Sequence, residues 1–385
     1  MSDNASIVNK CGIGKGTKTI KGISIDNDTN VGAGSVDTRD FPSNVIAVGS
    51  PVRIIKEKFM MNLLFCSVGR RGELIKDFKE SMKNEVYIVA TDNSGYAPAL
   101  YFADKQYVVP LITDQSYISV LLRICKAEKI NAITTFIDPE IELLSKNREK
   151  FEQLGVEVLV PYEKTAKLCF DKFKMYEYLK SLNINTVKTY NDINDFTSDY
   201  KNSLIDFPVF VKPRTGSGSV GARKVEDINT LNTLCNEDST LIIQEFMDGI
   251  DLDADIYVDT ISHEAISIFT KKKIETKIGG ASKTISFKDQ KLFDFAKEIV
   301  SHFEFNGPID MDFFLRDGIY YMSEINPRFG GAYLHAYGAG VDFIKFIHNN
   351  VNGIENKDSI GLYDEGVVMM MYDSVVIKKE TELVK

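Results

Sequence analysis

A lysine at the end of an apolar run, followed by a loop of small residues, is the first candidate for chemistry in this sequence. The segment VKPRTGSGSVG covers residues 211–221, and its lysine is Lys212. The ammonium group can bind phosphate oxygens, and a loop of glycine and serine offers backbone N–H groups without obstruction by side chains. The lysine precedes the glycines and no GKS or GKT follows, so the segment is not a P-loop. Taken alone, the loop also fits an ordinary hairpin turn.

Two acids and an amide form the second set of candidates. The segments PIDMDFFL (308–315) and YYMSEIN (320–326) are typical of two strands joined by a short turn. Residues two apart on a strand share a face, so Asp312, Glu324 and Asn326 are predicted to converge at one end of this hairpin. Mg²⁺ prefers hard oxygen ligands of this kind, shared with phosphates and water.

An arginine follows the second of these strands. Pro327 fixes the direction in which the chain leaves the strand, and Arg328 comes directly after it. We expect the guanidinium group to point back at the three oxygen ligands, where it would neutralise charge on a transferred phosphoryl group. Surface charges at a hairpin end would not require the amide, the proline and the arginine together.

The segment QEFMDGIDLD (244–253) is a strand that leads into a bend. Its backbone could meet the edge of an adenine, and Asp251 could bind a ribose diol; a solvated turn fits the same residues. Asp253 and Asp255 share one face of the following strand. We assign them a structural or solvent-facing role and leave them outside the site.

The composition restricts the class of protein. A chain of 385 residues is long enough for two or three domains. The formal net charge of -9 argues against binding to nucleic acid or to an acidic membrane surface. The five cysteines are scattered, no signal peptide is evident, and no apolar run reaches the roughly 18 residues needed to cross a bilayer. The sequence therefore predicts a cytoplasmic protein with reduced cysteines that acts on small molecules.

Residues 60–163 are predicted to form a doubly wound α/β domain, because short apolar runs alternate there with helical patterns. Ligands bind such sheets beyond the carboxyl ends of the strands. The polar residues at those ends are Arg70, Arg71, Asp92 and Asp138. We expect them to border a pocket for an acidic substrate, although a solvated helix start is the alternative for the two arginines. The glycines of SVGRRG do not form a GxGxxG fingerprint, so a dinucleotide is not supported.

Residues 1–59 differ from the rest of the chain. Aliphatic residues recur there at a spacing of six among glycines and small polar residues, which predicts a partial left-handed parallel β-helix. The segments VGAGSV and VGSPVRII resemble the C-terminal end of hexapeptide-repeat acyltransferases. The sequence lacks the upstream coils and the base histidine of those enzymes, so acyl transfer is not expected. A short β-helix leaves its edges unpaired, which favours a homo-oligomer; a vestigial appendage is the alternative.

The motifs of the rest of the chain, taken in order, resemble the ATP-grasp superfamily. They are FDKFK with Lys172, VKPRTGSGSVG, QEFMDG, Asp251, Asp312 and EINPR. The segments TDNSGYAPAL, ADKQYVVP and IDPEIELL are similar to the N-terminal domain of the carbamoyl-phosphate-synthase-like carboxylate ligases of that superfamily. The resemblance covers residues 61–385. It implies an α/β pre-ATP-grasp domain followed by an α+β ATP-grasp domain over residues 164–385, with lobes of about 164–242 and 243–385.

The resemblance also implies a role for each matching residue. The residues implied to bind ATP are Lys172, Lys212, Gly216, Ser217, Gly218, Ser219, Gln244, Glu245, Phe246, Met247 and Asp251. The implied ligands of one or two Mg²⁺ ions, or of Mn²⁺ in their place, are Asp312, Glu324 and Asn326. Asp312 departs from the glutamate or glutamine of many relatives. The implied catalytic residues are Arg328, Lys212 and Lys273, the last beside a second loop with the segment GGASK (279–283).

The activity implied by the resemblance is that of an ATP-dependent carboxylate–amine ligase. An amine does not attack a free carboxylate, so the γ-phosphoryl group of ATP would first be transferred to it, giving an acylphosphate and ADP. The expected partners are a small-molecule carboxylate and an amine, with no nucleic acid and no membrane. The alternative is a nucleotide-binding scaffold or sensor without ligase turnover, oligomerised through the β-helix segment. The presence of all three metal ligands favours the ligase.

Overall fold

A computed structural model describes most of the chain, in two compact units. The described residues are 6–7, 11–20, 22–26, 29–41, 45–57, 61–83, 85–216, 221–277 and 280–385. One unit consists of residues 1–61 with 83–87, and the other of residues 62–82 with 88–385. Among the predicted site residues, Ser217, Gly218 and Ser219 lie outside the described residues.

The first unit consists of short strands. They are β1 (Ser6–Ile7), β2 (Gly12–Ile13), β3 (Lys18–Thr19), β4 (Ser24–Ile25), β5 (Asn30–Val31), β6 (Val36–Asp37), β7 (Val45–Gly49) and β8 (Val52–Glu57). The parallel pairs β1–β4, β2–β5 and β3–β6 join residues 18 positions apart, as between Ser6 and Ser24. Ile25, Val31 and Phe41 are buried between these strands. The pairings fall into several small sheets, and the β-helix remains a prediction.

A five-stranded sheet with flanking helices begins the second unit. Its elements are β9 (Met61–Cys66), α1 (Gly72–Met82), β10 (Val86–Asp92), a 3₁₀ helix (Pro98–Phe102), β11 (Lys105–Val108), α2 (Tyr117–Ala127), β12 (Ala132–Thr135), α3 (Asp138–Lys146), α4 (Arg148–Glu152), β13 (Glu157–Val158) and α5 (Glu163–Phe170). The strand order is β11-β10-β9-β12-β13, with parallel pairing at β10–β11, β9–β12 and β12–β13. The sheet agrees with the predicted α/β architecture. It places Arg71, Asp92 and Asp138 at the carboxyl ends of their strands.

A four-stranded antiparallel sheet follows. Its elements are α6 (Lys172–Ser181), β14 (Thr189–Tyr190), α7 (Ile193–Lys201), β15 (Val209–Pro213), β16 (Arg223–Val225), α8 (Ile228–Glu237) and β17 (Leu241–Glu245). The strand order is β14-β17-β15-β16. Val209 and Val211 point from β15 into a core with Phe196 and Leu231. Because side chains alternate along a strand, this packing leaves Lys212 on the opposite face.

A larger antiparallel sheet completes the second unit. Its elements are β18 (Ile250–Val258), β19 (Ala265–Lys277), β20 (Gly280–Phe287), α9 (Gln290–Val300), β21 (Gly307–Arg316), β22 (Ile319–Asn326), α10 (Tyr333–Gly338), α11 (Phe343–Val351), β23 (Val368–Met370) and a 3₁₀ helix (Glu380–Glu382). The strand order is β22-β21-β18-β19-β20-β23. The predicted hairpin is present, because β21 and β22 are adjacent and antiparallel. Among the described residues, no helix has the length and apolar character to cross a membrane.

The register of this sheet gathers polar side chains on one face. Asp312 is the cross-strand partner of both Asp253 and Glu324, and Asp310 is the partner of both Asp255 and Asn326. Lys271 on β19 is opposite Asp253. These carboxylates and the amide therefore lie next to one another across three strands, although Asp253 and Asn326 are 73 positions apart in the sequence.

Candidate active site

Two lysines from different elements meet one glutamate. Lys172 is the first residue of α6, and Lys212 lies near the end of β15. The Nζ atoms of the two lysines lie 3.5 Å from Oε1 and 3.5 Å from Oε2 of Glu324, respectively. The sequence motifs that were predicted to meet a common triphosphate are thus brought together around one carboxylate.

The start of α6 is fixed to the end of β15. Asp171 caps the helix by accepting the backbone N–H of Lys174 at 3.1 Å, and it accepts two bonds from the guanidinium of Arg214 at 2.7 and 2.8 Å. The Nζ atom of Lys172 also donates to the carbonyl oxygen of Gly216 at 2.6 Å. These contacts hold the two lysines and the start of the glycine-rich loop in one place.

Burial and the neighbouring charges shift the pKa values of both Glu324 and Lys212. Burial opposes ionisation of this carboxyl group, but Lys212 and Lys172 together hold its pKa below the ordinary value. Burial, and after it the positive charge of Lys172, lower the pKa of Lys212 despite the neighbouring carboxylates. Two ammonium groups thus face one carboxylate, an arrangement that could also accept the oxygens of a polyphosphate.

A third lysine pairs with two acids of the same face. Nζ of Lys273 lies 3.0 Å from Oδ1 of Asp251 and forms a shorter ion pair with Asp312. Burial raises the pKa of Asp312 to about 6, and Lys273 opposes that effect. Lys273, predicted to act in catalysis, and Asp251, predicted to bind a ribose, therefore lie beside the predicted metal ligand Asp312.

The predicted adenine segment lies at the end of β17. Gln244 is buried and donates to Oγ1 of Thr189 at 2.9 Å, and Met247 is buried as well. Nη1 of Arg316 lies 2.6 Å from Oε1 of Glu245. Glu245 could therefore bind a ligand through this oxygen only if its ion pair with Arg316 were broken. Lys224 lies over the ring of Phe246 at 4.8 Å.

Two pockets lie against these residues. The first is lined by residues of both sheets, including Lys172, Thr189, Gln244, Met322 and Glu324. The second is lined by residues that include Asp138, Lys172, Gly216, Glu324 and Asn326. The second pocket extends from the predicted triphosphate position to the start of α3 in the α/β domain.

Arg328 reaches the α/β domain. Its Nε and Nη2 atoms donate to Oδ1 and Oδ2 of Asp138 at 2.8 and 3.2 Å, in a two-pronged ion pair. Burial disfavours the charge of this guanidinium, but Asp138 and Asp310 raise its pKa overall. Arg328 therefore pairs with Asp138, which lines the second pocket together with Glu324 and Asn326, and its role at the phosphoryl group stays a prediction.

Arg70 and Asp92, which were also predicted to border the substrate pocket, do not contact Arg328 or the residues around Glu324 in the hydrogen bonds and ion pairs of the described residues. The side chain of Arg70 is 80% exposed and lies 3.5 Å from Asp373, so it is outside the site. Asp92 accepts the backbone N–H groups of Gly69 and Ser94 at 2.9 and 3.1 Å, which shapes the loop after β9. Of the two arginines, Arg71 is the one that faces the residues after β22.

A buried charge cluster was missed at the sequence level. Asp253, Asp255 and Asp310 are 5%, 1% and 7% exposed, so the solvent-facing role considered for the first two is wrong. Lys271, which is fully buried, lies 3.2 Å from Asp253 and forms a shorter ion pair with Asp255. The three carboxylates have oxygens within 4.8 Å of one another, but the ammonium of Lys271 already pairs with two of them, so we assign no metal here. The spacing of two residues places Lys271 and Lys273 on one face of β19, but it does not identify their acidic partners.

The backbone of Gly330 packs closely against this cluster, and substitution of Gly330 tests that close approach. A Cβ atom there would lie 2.6 Å from Oδ1 of Asp255 and 2.6 Å from Oδ1 of Asp310. Because neither buried carboxylate has room to move freely, Gly330→Ala is expected to lower the free energy of unfolding by about 1–3 kcal/mol. The matched control is Gly331→Ala, where the added atom would meet nothing within 4 Å. Chemical denaturation measures both, and equal effects would contradict the close approach at Gly330.

Two family models each match one segment of the chain. The model of the PylC-like, N-terminal domain matches residues 63–159, and the model of the ATP-grasp domain matches residues 169–332. The carbamoyl phosphate synthase large chain of Thermoplasma acidophilum is 24% identical over 64% of this chain and 25% of its own length. D-alanine--D-alanine ligase B of Clostridium perfringens is 29% identical over 50% of this chain and 70% of its own length.

A formate-dependent phosphoribosylglycinamide formyltransferase of Prochlorococcus marinus is 26% identical over 46% of each chain. The matched part of this chain therefore spans between a quarter and about half of the length of these relatives. Among solved structures, the N5-carboxyaminoimidazole synthetase of Staphylococcus aureus complexed with ADP has a TM-score of 0.64 at 18% identity, over 79% of this chain and 80% of that chain. The biotin carboxylase domain of Hydrogenobacter thermophilus 2-oxoglutarate carboxylase has a TM-score of 0.63 at 16% identity, over 81% and 74%. The predicted fold of the second unit is thereby confirmed.

Proposed function

Because the chain carries an ATP-grasp domain behind a PylC-like N-terminal domain, we propose that it is an ATP-dependent carboxylate–amine ligase. The observation that carries the proposal is the convergence of Lys172 and Lys212 on Glu324, which is paired across the hairpin with Asp312. This arrangement unites cations for a triphosphate with oxygen ligands for a divalent metal. The proposal covers the activity, the nucleotide and the two classes of organic substrate.

The donor set fits a magnesium ion. Asp312 and Glu324 are cross-strand partners, and Asn326 follows on the same face. These side chains supply the hard oxygen atoms that Mg²⁺ prefers, and they would hold one or two such ions. When bound, the metal would neutralise charge on the phosphates and so make the γ-phosphoryl group easier to transfer.

The reaction has two steps in this proposal. An oxygen of the substrate carboxylate attacks the γ-phosphorus of ATP, the bond to the bridging oxygen breaks, and ADP leaves. The amine nitrogen then attacks the acyl carbon, phosphate departs, and the nitrogen loses a proton. Lys172 and Lys212 hold the phosphates and Arg328 meets the charge of the acylphosphate, so alignment and charge neutralisation supply the rate enhancement.

A screen of ADP release tests this activity. Carboxylates are supplied with a mixture of amines, ATP and Mg²⁺, and ADP is expected only when an accepted acid is present. AMP as the product would indicate transfer of the adenylyl group to the acid and so contradict the acylphosphate route. No ADP with any acid would favour a nucleotide sensor. The same assay run without amines separates activation of the acid from complete turnover.

A substitution of Lys212 tests the phosphate role in the same assay. Lys212→Ala removes one charged donor, and we expect the KM for ATP to rise about 10- to 100-fold. The matched control is Lys201→Ala, an exposed lysine at the end of α7. An unchanged KM for ATP in a folded Lys212→Ala protein would remove Lys212 from the nucleotide site.

We further propose that residues 1–59 form a partial left-handed β-helix that assembles the chain into a homo-oligomer. The parallel pairing of residues 18 positions apart supports a coil of three six-residue repeats. The cytoplasmic location stays a prediction.

A further inference from the structure

Arg71 and Arg328 meet at one backbone carbonyl. Arg71 follows β9 and donates from Nη1 to the carbonyl oxygen of Gly330 at 2.7 Å and from Nη2 to that of Phe329 at 3.5 Å. The same oxygen of Phe329 accepts Nη1 of Arg328 at 3.0 Å. Two guanidinium groups from different domains therefore lie side by side.

The positive charge of Arg71 is not matched by an ion pair. Among the described residues, Asp138 pairs with Arg328, whereas no carboxylate lies within ion-pair distance of Arg71. Its two hydrogen bonds within the described part of the chain go to neutral carbonyl groups, so other N–H groups of the guanidinium have no partner there. Burial, and after it the charge of Arg328, lower the pKa of Arg71 to about 10, although the more distant carboxylates of Asp310, Asp138 and Asp255 oppose the shift. An anion between the two groups would relieve this repulsion.

Arg71 is connected to the residues proposed for phosphoryl transfer through Arg328 and Asp138. Arg71 lies at the carboxyl end of a parallel strand, where α/β sheets bind ligands. Asp138, the partner of Arg328, lines the pocket that continues to Lys172 and Glu324. The ring of Phe136, 6.0 Å from the guanidinium carbon, helps to fix the orientation of Arg71.

We propose that Arg71 binds the carboxylate group of the acid substrate, opposite Arg328, and so determines that the accepted substrate is an organic acid. A planar guanidinium binds a carboxylate through two parallel N–H groups, which also aligns the oxygen that attacks the γ-phosphorus. This assignment rests on the proposed ligase function. It adds a second residue of the PylC-like domain, after Asp138, to a site built mainly from the ATP-grasp domain.

A purely structural role for Arg71 makes a different prediction. If the guanidinium only fastens the residues after β22 to the α/β domain, its loss would lower thermal stability and would change the kinetic constants for ATP and for the acid together. If it binds the acid, its loss would raise the KM for the acid alone. The two cases are separated by measuring both constants and the melting temperature.

The experiment uses the full chain, ATP, Mg²⁺ and hydroxylamine, which converts an acylphosphate into a hydroxamate and so makes the assay independent of the natural amine. A panel of carboxylates is tested with the unmodified protein, Arg71→Ala, Arg71→Lys and the neighbouring control Arg70→Ala. We expect the KM for each accepted acid to rise about 10- to 100-fold in Arg71→Ala and less in Arg71→Lys. The KM for ATP should stay within about 2-fold, and Arg70→Ala should match the unmodified protein.

The other outcomes contradict either the assignment of Arg71 or the proposed ligase function. An unchanged KM for the acid in Arg71→Ala, or equal rises for ATP and acid together with a lower melting temperature in both Arg71 variants, overturns the assignment of Arg71. Formation of no hydroxamate from any acid by the unmodified protein overturns the proposed function, and the assignment with it.

Discussion

Glu324→Gln is expected to lower kcat for ADP release about 10²- to 10³-fold. The glutamine has nearly the same shape, but it removes the carboxylate that lies 3.5 Å from both Lys172 and Lys212. The proposed metal would lose a charged ligand, and the two ammonium groups would lose the anion between them. Steady-state kinetics at saturating ATP and Mg²⁺ measure the effect.

The control for Glu324→Gln is Glu298→Gln, which changes an exposed carboxylate on α9. It should keep the kcat of the unmodified protein. Melting temperatures of both variants show whether a loss of activity reflects unfolding. A Glu324→Gln protein that stays folded and keeps more than half of the original kcat would refute the proposed metal and phosphate site.

Lys271→Met is expected to lower the free energy of unfolding by about 3–5 kcal/mol near neutral pH. Lys271 is fully buried and pairs with Asp253 and Asp255, while Asp310 lies next to them. The substitution keeps an unbranched side chain but leaves three buried carboxylates without their cation. Denaturant unfolding measures the loss, and Lys272→Met is the control because Lys272 is exposed.

The effect of Lys271→Met should depend on pH in a defined direction. Burial raises the pKa of Asp255 to about 6 and that of Asp310 well above its ordinary value, and Lys271 opposes both shifts. Without Lys271 the folded state therefore holds these protons to higher pH than the unfolded state does. Folded-state stability falls as pH rises wherever the folded state binds more protons, here from about pH 4 through pH 6 and above. The loss should be smaller at pH 5 than at pH 8, and a loss of equal size at both would contradict this account.

The candidate site could be predicted where its residues are close in the sequence or belong to a local pattern. Glu324 and Asn326 are two apart on one strand, and Asp312 belongs to the same hairpin, so their convergence follows from strand alternation. Lys212 was singled out by its place before the glycine-rich loop, whereas Lys172 was placed only by the resemblance of its motif. The glycine and serine residues 217–219 remain predictions, because they lie outside the described residues.

The buried cluster could not be predicted because it depends on strand register. Asp255 meets Asp310 only because β18 pairs with β21, and Lys271 faces Asp253 only because β19 pairs with β18 in one particular alignment. A shift of one residue would turn these side chains to the other face. Hydrophobic pattern alone gives no such alignment, so a structural and a solvent-facing role both stayed open for Asp253 and Asp255. The partner of Arg328 was missed for a related reason, since Asp138 belongs to another domain.

The ion pair between Asp138 and Arg328 has a consequence for protein engineering. Each member lies in a segment matched by a different family model. A chimera that takes its first domain from one relative and its second from another would inherit only half of this pair unless the donor carries an acid at the matching position. Domain shuffling within this architecture should therefore exchange α3 and the residues after β22 as one module.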